Sequence, residues 1–210
     1  MDTLKINEQD IIGLLDQLHQ AVIPTDVVAA IKTLADSGSR AAIPSLIEGL
    51  NHHHPSVSAA AVEGLLQLAT DSVEPLMAAF HASGDHGVQA YIVQTLAQIA
   101  DERATDLLVE VVGVEVANHC QGNVRRVAAR GLGKIAHTSS NPQVIRAAVE
   151  KLTWALLNAE DWALRYATVV SLQEIGTSEA RAVLERSLSQ ERDKAVQARL
   201  STALEVLQPR

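Results

Sequence analysis

The chain has 210 residues, 47% of them apolar and only five aromatic, with a formal charge of −8. That length suits one domain or one short repeat array, and the acidic balance argues against DNA or RNA as the main partner. A single cysteine, Cys120, excludes an internal disulfide framework and any multi-cysteine metal site, and no apolar run approaches the roughly 20 residues that span a bilayer.

Met1 to Ile12 carries acids and lacks a basic stretch followed by an apolar run, so no secretory signal is expected. Ile6 to Ala21 reads as an N-terminal capping helix within residues 1–26, and residues 27–210 read as a repeat array. The apolar alphabet agrees: 32 Ala, 25 Leu, 22 Val and 12 Ile supply 91 of the 99 apolar residues, a composition for packed helices rather than strands.

Five segments align without gaps, opening at Val57, Val88, Val124, Leu164 and Val196. Leu recurs eight positions on (Leu65, Leu96, Leu132, Leu172, Leu204), and an apolar residue follows three later (Leu68, Ile99, Ile135, Ile175, Leu207). Spacings of 4, 8 and 11 keep one face of a 3.6-residue helix apolar. An earlier copy lies around Val27 to Asp36. A second apolar stretch follows each of the first four segments, as in Ser72-VEPLMAAF, Glu102-RATDLLVEVV and Ser178-EARAVLERSL, and Ala42-IPSLIEGL plays that part in the early copy. Pro44 and Pro75 sit near the starts of these stretches, where a missing N–H costs little. The unit is a helix pair of about 31 residues, and pairs that cannot bury an apolar face alone stack into an all-α solenoid, here of about five pairs.

The period breaks twice: successive openings are 31, 36, 40 and 32 residues apart. The first insertion reads as an irregular loop, Val116-Ala-Asn-His-Cys-Gln-Gly-Asn123, with Gly122 making a tight turn and Asn123 capping a helix from Val124. The second, His137-TSSNPQ, falls inside the fourth pair. The only cysteine therefore lies where the register slips, beside His119. Arg125, Arg126 and a helix N-terminus favour its thiolate, and His119 titrates near neutral pH. An inert, buried Cys120 is the alternative reading.

Other candidates are weighed the same way. Arg125, Arg126 and Arg165 occupy first turns of successive repeat helices, as an anion-binding edge or as solvated helix starts and inter-repeat salt bridges. Asp161 is a natural N-cap, and Trp162 and Tyr166, four apart, share a face that stacks on a ligand or packs at a repeat junction. His52, His53 and His54 are consecutive and cannot all converge on one ion, so they read as an exposed turn, as do His81 and His86. No nucleotide-binding, hydrolase or zinc-protease motif is present.

Val27 to Leu207 resembles the PBS-lyase HEAT-like repeats of the E/F-type phycobilin lyases. The run Asn118-His119-Cys120-Gln121-Gly122-Asn123 resembles the His-Cys motif of the F subunit in the isomerising branch of that family. The resemblance implies a heterodimer with an E-type subunit. The pair would bind phycocyanobilin, a bilin chromophore, and attach it by a thioether bond to a cysteine of a phycobiliprotein α subunit, that of phycoerythrocyanin, with isomerisation to phycoviolobilin. In that picture Cys120 adds reversibly to the conjugated tetrapyrrole and His119 moves a proton. Asn118, Gln121, Asn123, Arg125, Arg126, Asp161, Trp162, Arg165 and Tyr166 are the expected pigment-contacting residues. Phycocyanobilin is the substrate, with no metal and no further cofactor, because isomerisation conserves electrons. The implied setting is the cytoplasm beside the phycobilisome. A non-isomerising lyase subunit and a non-catalytic HEAT-repeat adaptor in phycobilisome assembly or turnover stand as alternatives.

Overall fold

A computed structural model of the chain describes residues 8–21, 23–113 and 119–207. The described residues form α1 (Glu8–Gln20), α2 (Pro24–Asp36), α3 (Ile43–Gly49), α4 (Pro55–Leu68), α5 (Val73–Ala82), α6 (His86–Ile99), α7 (Thr105–Gly113), α8 (His119–Thr138), α9 (Pro142–Asn158), α10 (Trp162–Ile175), α11 (Ser178–Leu188) and α12 (Lys194–Val206). Short 3-10 turns at Arg40–Ala42, Ala69–Ser72 and Glu102–Ala104 lead into α3, α5 and α7. Among the described residues there is no strand, and no helix is long and apolar enough to cross a membrane. The fold is the all-α solenoid of HEAT-like helical pairs that the periodicity predicts.

The chain divides into two compact units, residues 1–95 and 96–210. In the first, α2 packs on α4 and α3 on α5, α1 packs on α2, and α3 closes on α4. In the second, α8, α10 and α12 stack as one layer and α7, α9 and α11 as the other. The repeated Leu column explains the layering: Leu65, Leu96, Leu132 and Leu172 are all fully buried. So is the column four residues after each opening, Ala61, Ile92, Ala128, Thr168 and Leu200. Burying such a side chain contributes about 1.5–3 kcal/mol for Leu or Ile, which is why the period survives sequence drift elsewhere. Leu204 is only half-buried; among the described residues α12 packs on α10 and α11.

Column seven of each segment is small throughout: Gly64, Thr95, Gly131, Ser171 and Ala203. These residues let the helices of one layer touch closely. A Cβ on Gly131 would lie 2.7 Å from Ala97 Cβ, and one on Gly133 would lie 2.6 Å from Ser171 Cβ. The helices stop where local chemistry stops them. Gly176 takes the left-handed conformation after α10, and its segment counterparts Ala69 and Ala100 also have positive φ. Asn141, Asp161, Thr177 and Asp193 cap α9 to α12 by accepting backbone N–H hydrogen bonds.

One expectation fails. Gly122 and Asn123 are not a turn and a cap: α8 begins at His119 and runs through both. The first insertion therefore lengthens a helix to 20 residues, against 13 or 14 for α2, α4, α6, α10 and α12. Gly122 is buried inside α8, where glycine carries a helix penalty of about 1 kcal/mol. Asn118 lies outside the described residues, as do Ile6 at the expected start of the N-terminal helix and Pro209. The second insertion is a true connection: residues 139–141 join α8 to α9.

Candidate functional site

His119 and Cys120 are the first two residues of α8, and Gln121 is the third. A position in the first helical turn lies near the unpaired N–H groups and the positive end of the helix dipole, which lowers the cost of a thiolate.

The layer that α8 opens has one exposed face. Trp162 is 51% exposed and Tyr166, one turn further along α10, is 38% exposed. Both are large apolar groups in a chain with five aromatic residues, so their exposure is the more telling. Arg126 of α8 reaches Asp161, the cap of α10, at 3.7 Å. Arg130, one turn beyond Arg126, pairs with Glu174 at 2.9 Å and donates to Ser171 Oγ at 2.9 Å, while Ser171 donates to the Ala129 carbonyl. On the other flank of α10, Arg199 of α12 donates to Gln173 Oε1. These pairings show that α8, α10 and α12 run parallel, with their N-terminal ends at the same end of the layer. Arg126 is thus tied to Asp161 at the start of α10, next to Trp162, while Arg130 and Arg199 flank the same helix further along. Neither arginine stood out in the sequence, although both fall in segment columns that the helical period turns away from the core.

Arg125 and Arg165 do not join that face. Arg125 donates to the Val112 carbonyl at the end of α7, and burial pulls its pKa down. Arg165 donates to the Ala159 and Glu160 carbonyls after α9 and makes two bonds to Glu191, at 2.8 and 3.0 Å. Donating to the Glu191 carboxylate raises the Arg165 pKa. The same column repeats the arrangement throughout. Ser58 donates to the Leu50 and His52 carbonyls, Gln89 to those of Phe80 and Ser83, and Gln197 to that of Glu191. The second residue of each segment is thus a donor that satisfies carbonyls at the end of the preceding helix, where the helix leaves them unpaired. For Arg125 and Arg165, whose sequence reading included inter-repeat bonding, this structural engagement is what the geometry displays. Asn123 is exposed on α8.

Two further features lie apart. On α9, Trp154 and Leu157 are 41% and 52% exposed, and Lys151 Nζ sits 4.9 Å from the Trp154 ring centre. The histidines at 52–54 form a local cluster in which His52 and His53 stack at 4.2 Å and His54 bonds Ser56. Among the described residues, no three His, Cys, Asp or Glu side chains are placed to hold a metal ion.

The helix pairs and this face define a HEAT-type repeat protein. Residues 113–205 match the HEAT repeats family, and residues 27–52 and 88–113 match the PBS lyase HEAT-like repeat. The chain is 54% identical to the bilin biosynthesis protein PecF of Mastigocladus laminosus, over 91% of this chain and 92% of that protein. It is 58% identical to PecF of Nostoc sp. (strain PCC 7120 / SAG 25.82 / UTEX 2576), over 78% and 94% of the two chains. Its fold superposes on the complex of CpcE and CpcF of phycocyanin lyase from Nostoc sp. PCC7120, with a TM-score of 0.67 and 33% identity, over 79% of this chain and 99% of that one. The chain belongs to the PecF family of bilin biosynthesis proteins, within the E/F-type phycobilin lyases.

Proposed function

We propose that the chain is the F-type subunit of a heterodimeric phycobilin lyase-isomerase. With an E-type subunit it attaches phycocyanobilin to a cysteine of the phycoerythrocyanin α subunit and converts the bound pigment to phycoviolobilin. The observation that carries this reading is the His119-Cys120 pair at the start of α8, at one end of the layer that exposes Trp162 and Tyr166 and carries the half-buried Arg126, Arg130 and Arg199, in a chain so similar to PecF. Similarity to the CpcE–CpcF complex supports a two-subunit enzyme, and a short solenoid covers only one side of a long, flat pigment.

The chemistry needs a nucleophile and a proton carrier. The Cys120 thiolate adds to an electrophilic bridge carbon of the pigment, and the displaced electron pair takes up a proton. A proton is then lost from a different carbon, the C–S bond breaks and the thiolate leaves. Atoms and electrons balance, and the double bond has moved. His119, an imidazole beside the thiol in sequence, delivers and removes the proton. Attachment is the addition of the client's S–H across a pigment double bond and likewise needs no oxidant. The enzyme works in the cytoplasm, beside the phycobilisome.

Reconstitution tests this with the chain, an E-type subunit, phycocyanobilin and the apo α subunit. The expected product absorbs at shorter wavelength than attached phycocyanobilin, because one double bond has left conjugation. Cys120→Ser is expected to attach pigment without that blue shift. A wild-type product with the unshifted spectrum ends the isomerase reading, and no attachment at all ends the lyase reading.

A further inference from the structure

A groove of about 400 Å³ lies between α10 and α12, lined by Tyr166 and Gln173 on one side and Ala195, Ala198, Arg199 and Thr202 on the other. We propose that it seats one propionate carboxylate of the pigment, with Arg199 as its cation. This rests on the functional reading above and gives Arg199 a specific role that the reading leaves open.

Three observations converge. The first is charge. Arg126 and Arg130, the other cations of this face, already have acids, Asp161 and Glu174. Among the described residues the partner of Arg199 is the amide oxygen of Gln173, which leaves the guanidinium's charge uncancelled. A carboxylate arriving there gains charge-assisted hydrogen bonds without displacing an acid. The second is shape. Ala195 and Ala198 present only methyl groups, and the half-exposed Tyr166 ring forms the opposite wall, continued one turn away by Trp162. A flat, conjugated, mostly apolar body fits between an aromatic wall and a small-residue floor. One cation beside apolar surface suits a carboxylate on such a body better than a phosphate ester, which calls for several donors.

The third is reach. Neighbouring helices in a layer lie about 8–10 Å apart, so a groove between α10 and α12 stands about 12–15 Å from α8 across α10. The groove is too small for a whole tetrapyrrole and takes one propionate arm, which an inner ring carries. With one carboxylate on Arg199, the remaining rings cross Trp162 toward the first turn of α8, where Cys120 lies. The subsite thus sets which bridge of the pigment reaches the thiol.

The test compares phycocyanobilin with its dimethyl ester, using the full chain paired with its E-type subunit and following pigment absorbance and induced circular dichroism. The wild-type pair is expected to hold the diacid more tightly than the diester. Arg199→Gln is expected to weaken the diacid by roughly 10- to 100-fold and to leave the diester within about twofold. Arg199→Lys, which keeps the charge but not the fork, should recover part of the loss. Equal losses for both pigments, or wild-type affinity for the diacid in Arg199→Gln, overturns the subsite. If the wild-type pair attaches pigment normally in the same preparation, such a result overturns the subsite alone. A wild-type pair that attaches none overturns the functional reading and the subsite with it.

Discussion

Gly133 shows how single atoms hold this array together. It sits inside α8, where glycine costs about 1 kcal/mol relative to alanine. Propensity alone therefore favours Gly133→Ala. Packing reverses the sign: the added Cβ would meet Ser171 at 2.6 Å and its backbone Cα at 2.9 Å. Backbone cannot step aside as a flexible side chain can, so α8 and α10 would have to part and strain the Ser171 bond to the Ala129 carbonyl. We expect Gly133→Ala to destabilise by about 2 kcal/mol or more in urea unfolding. Gly13, in α1, has nothing within 4 Å of its added Cβ. Gly13→Ala should be neutral or stabilising by up to about 1 kcal/mol, so the pair separates packing from propensity. The donor column reads differently. Ser58, Gln89, Arg125, Arg165 and Gln197 share only the capacity to donate, which an alignment of apolar residues passes over and a list of cations misreads as a binding edge.

Connections carry the second scale of organisation, and the one before α12 is the most tightly built. Glu191 receives Arg165 through both oxygens, and its Oε1 also accepts the backbone N–H groups of Arg192 and Asp193, each at 2.8 Å. Burial alone would raise the Glu191 pKa, but these bonds outweigh it and hold the carboxyl below its ordinary value of 4.5. A group with a depressed folded pKa contributes stability that is present above the unfolded value and lost as pH falls through the folded one. Glu191→Gln should therefore unfold at lower temperature than wild type at pH 7, by about 2 kcal/mol in stability, since it leaves a largely buried guanidinium without its counter-charge. The gap should begin to close as pH falls below about 4.5 and be gone once the carboxyl is protonated. A gap that is constant with pH would show that Glu191 acts through its shape alone. An element boundary was legible where Asp161 caps α10. The turn and cap read at Gly122 and Asn123 were misread, because both residues carry the local signature of a turn, whereas α8 runs through them with Gly122 buried.

For the whole molecule, the layers were legible because the same columns must be buried in every pair, and the exposed face was not. Which surface of a repeat helix stays open depends on what stacks beside it, and single-segment periodicity does not state that. Trp162 and Tyr166 could be placed on one face from their spacing. Arg130 and Arg199 needed the register between helices. That dependence on neighbours also governs how the chain unfolds. Contacts concentrate within residues 1–95 and within 96–210, and in a repeat array stability is close to a sum of pair terms and nearest-neighbour terms. Leu172 is fully buried in α10, which packs on α8, α9, α11 and α12. Leu172→Ala should cost about 2–5 kcal/mol through lost burial and the cavity left behind. Hydrogen exchange should then show faster opening of amides in α8 to α12, while α2 to α5 keep their wild-type protection. Equal loss of protection in both units would mean that the chain opens as one cooperative block, and the nearest-neighbour account of its stability would have to be abandoned.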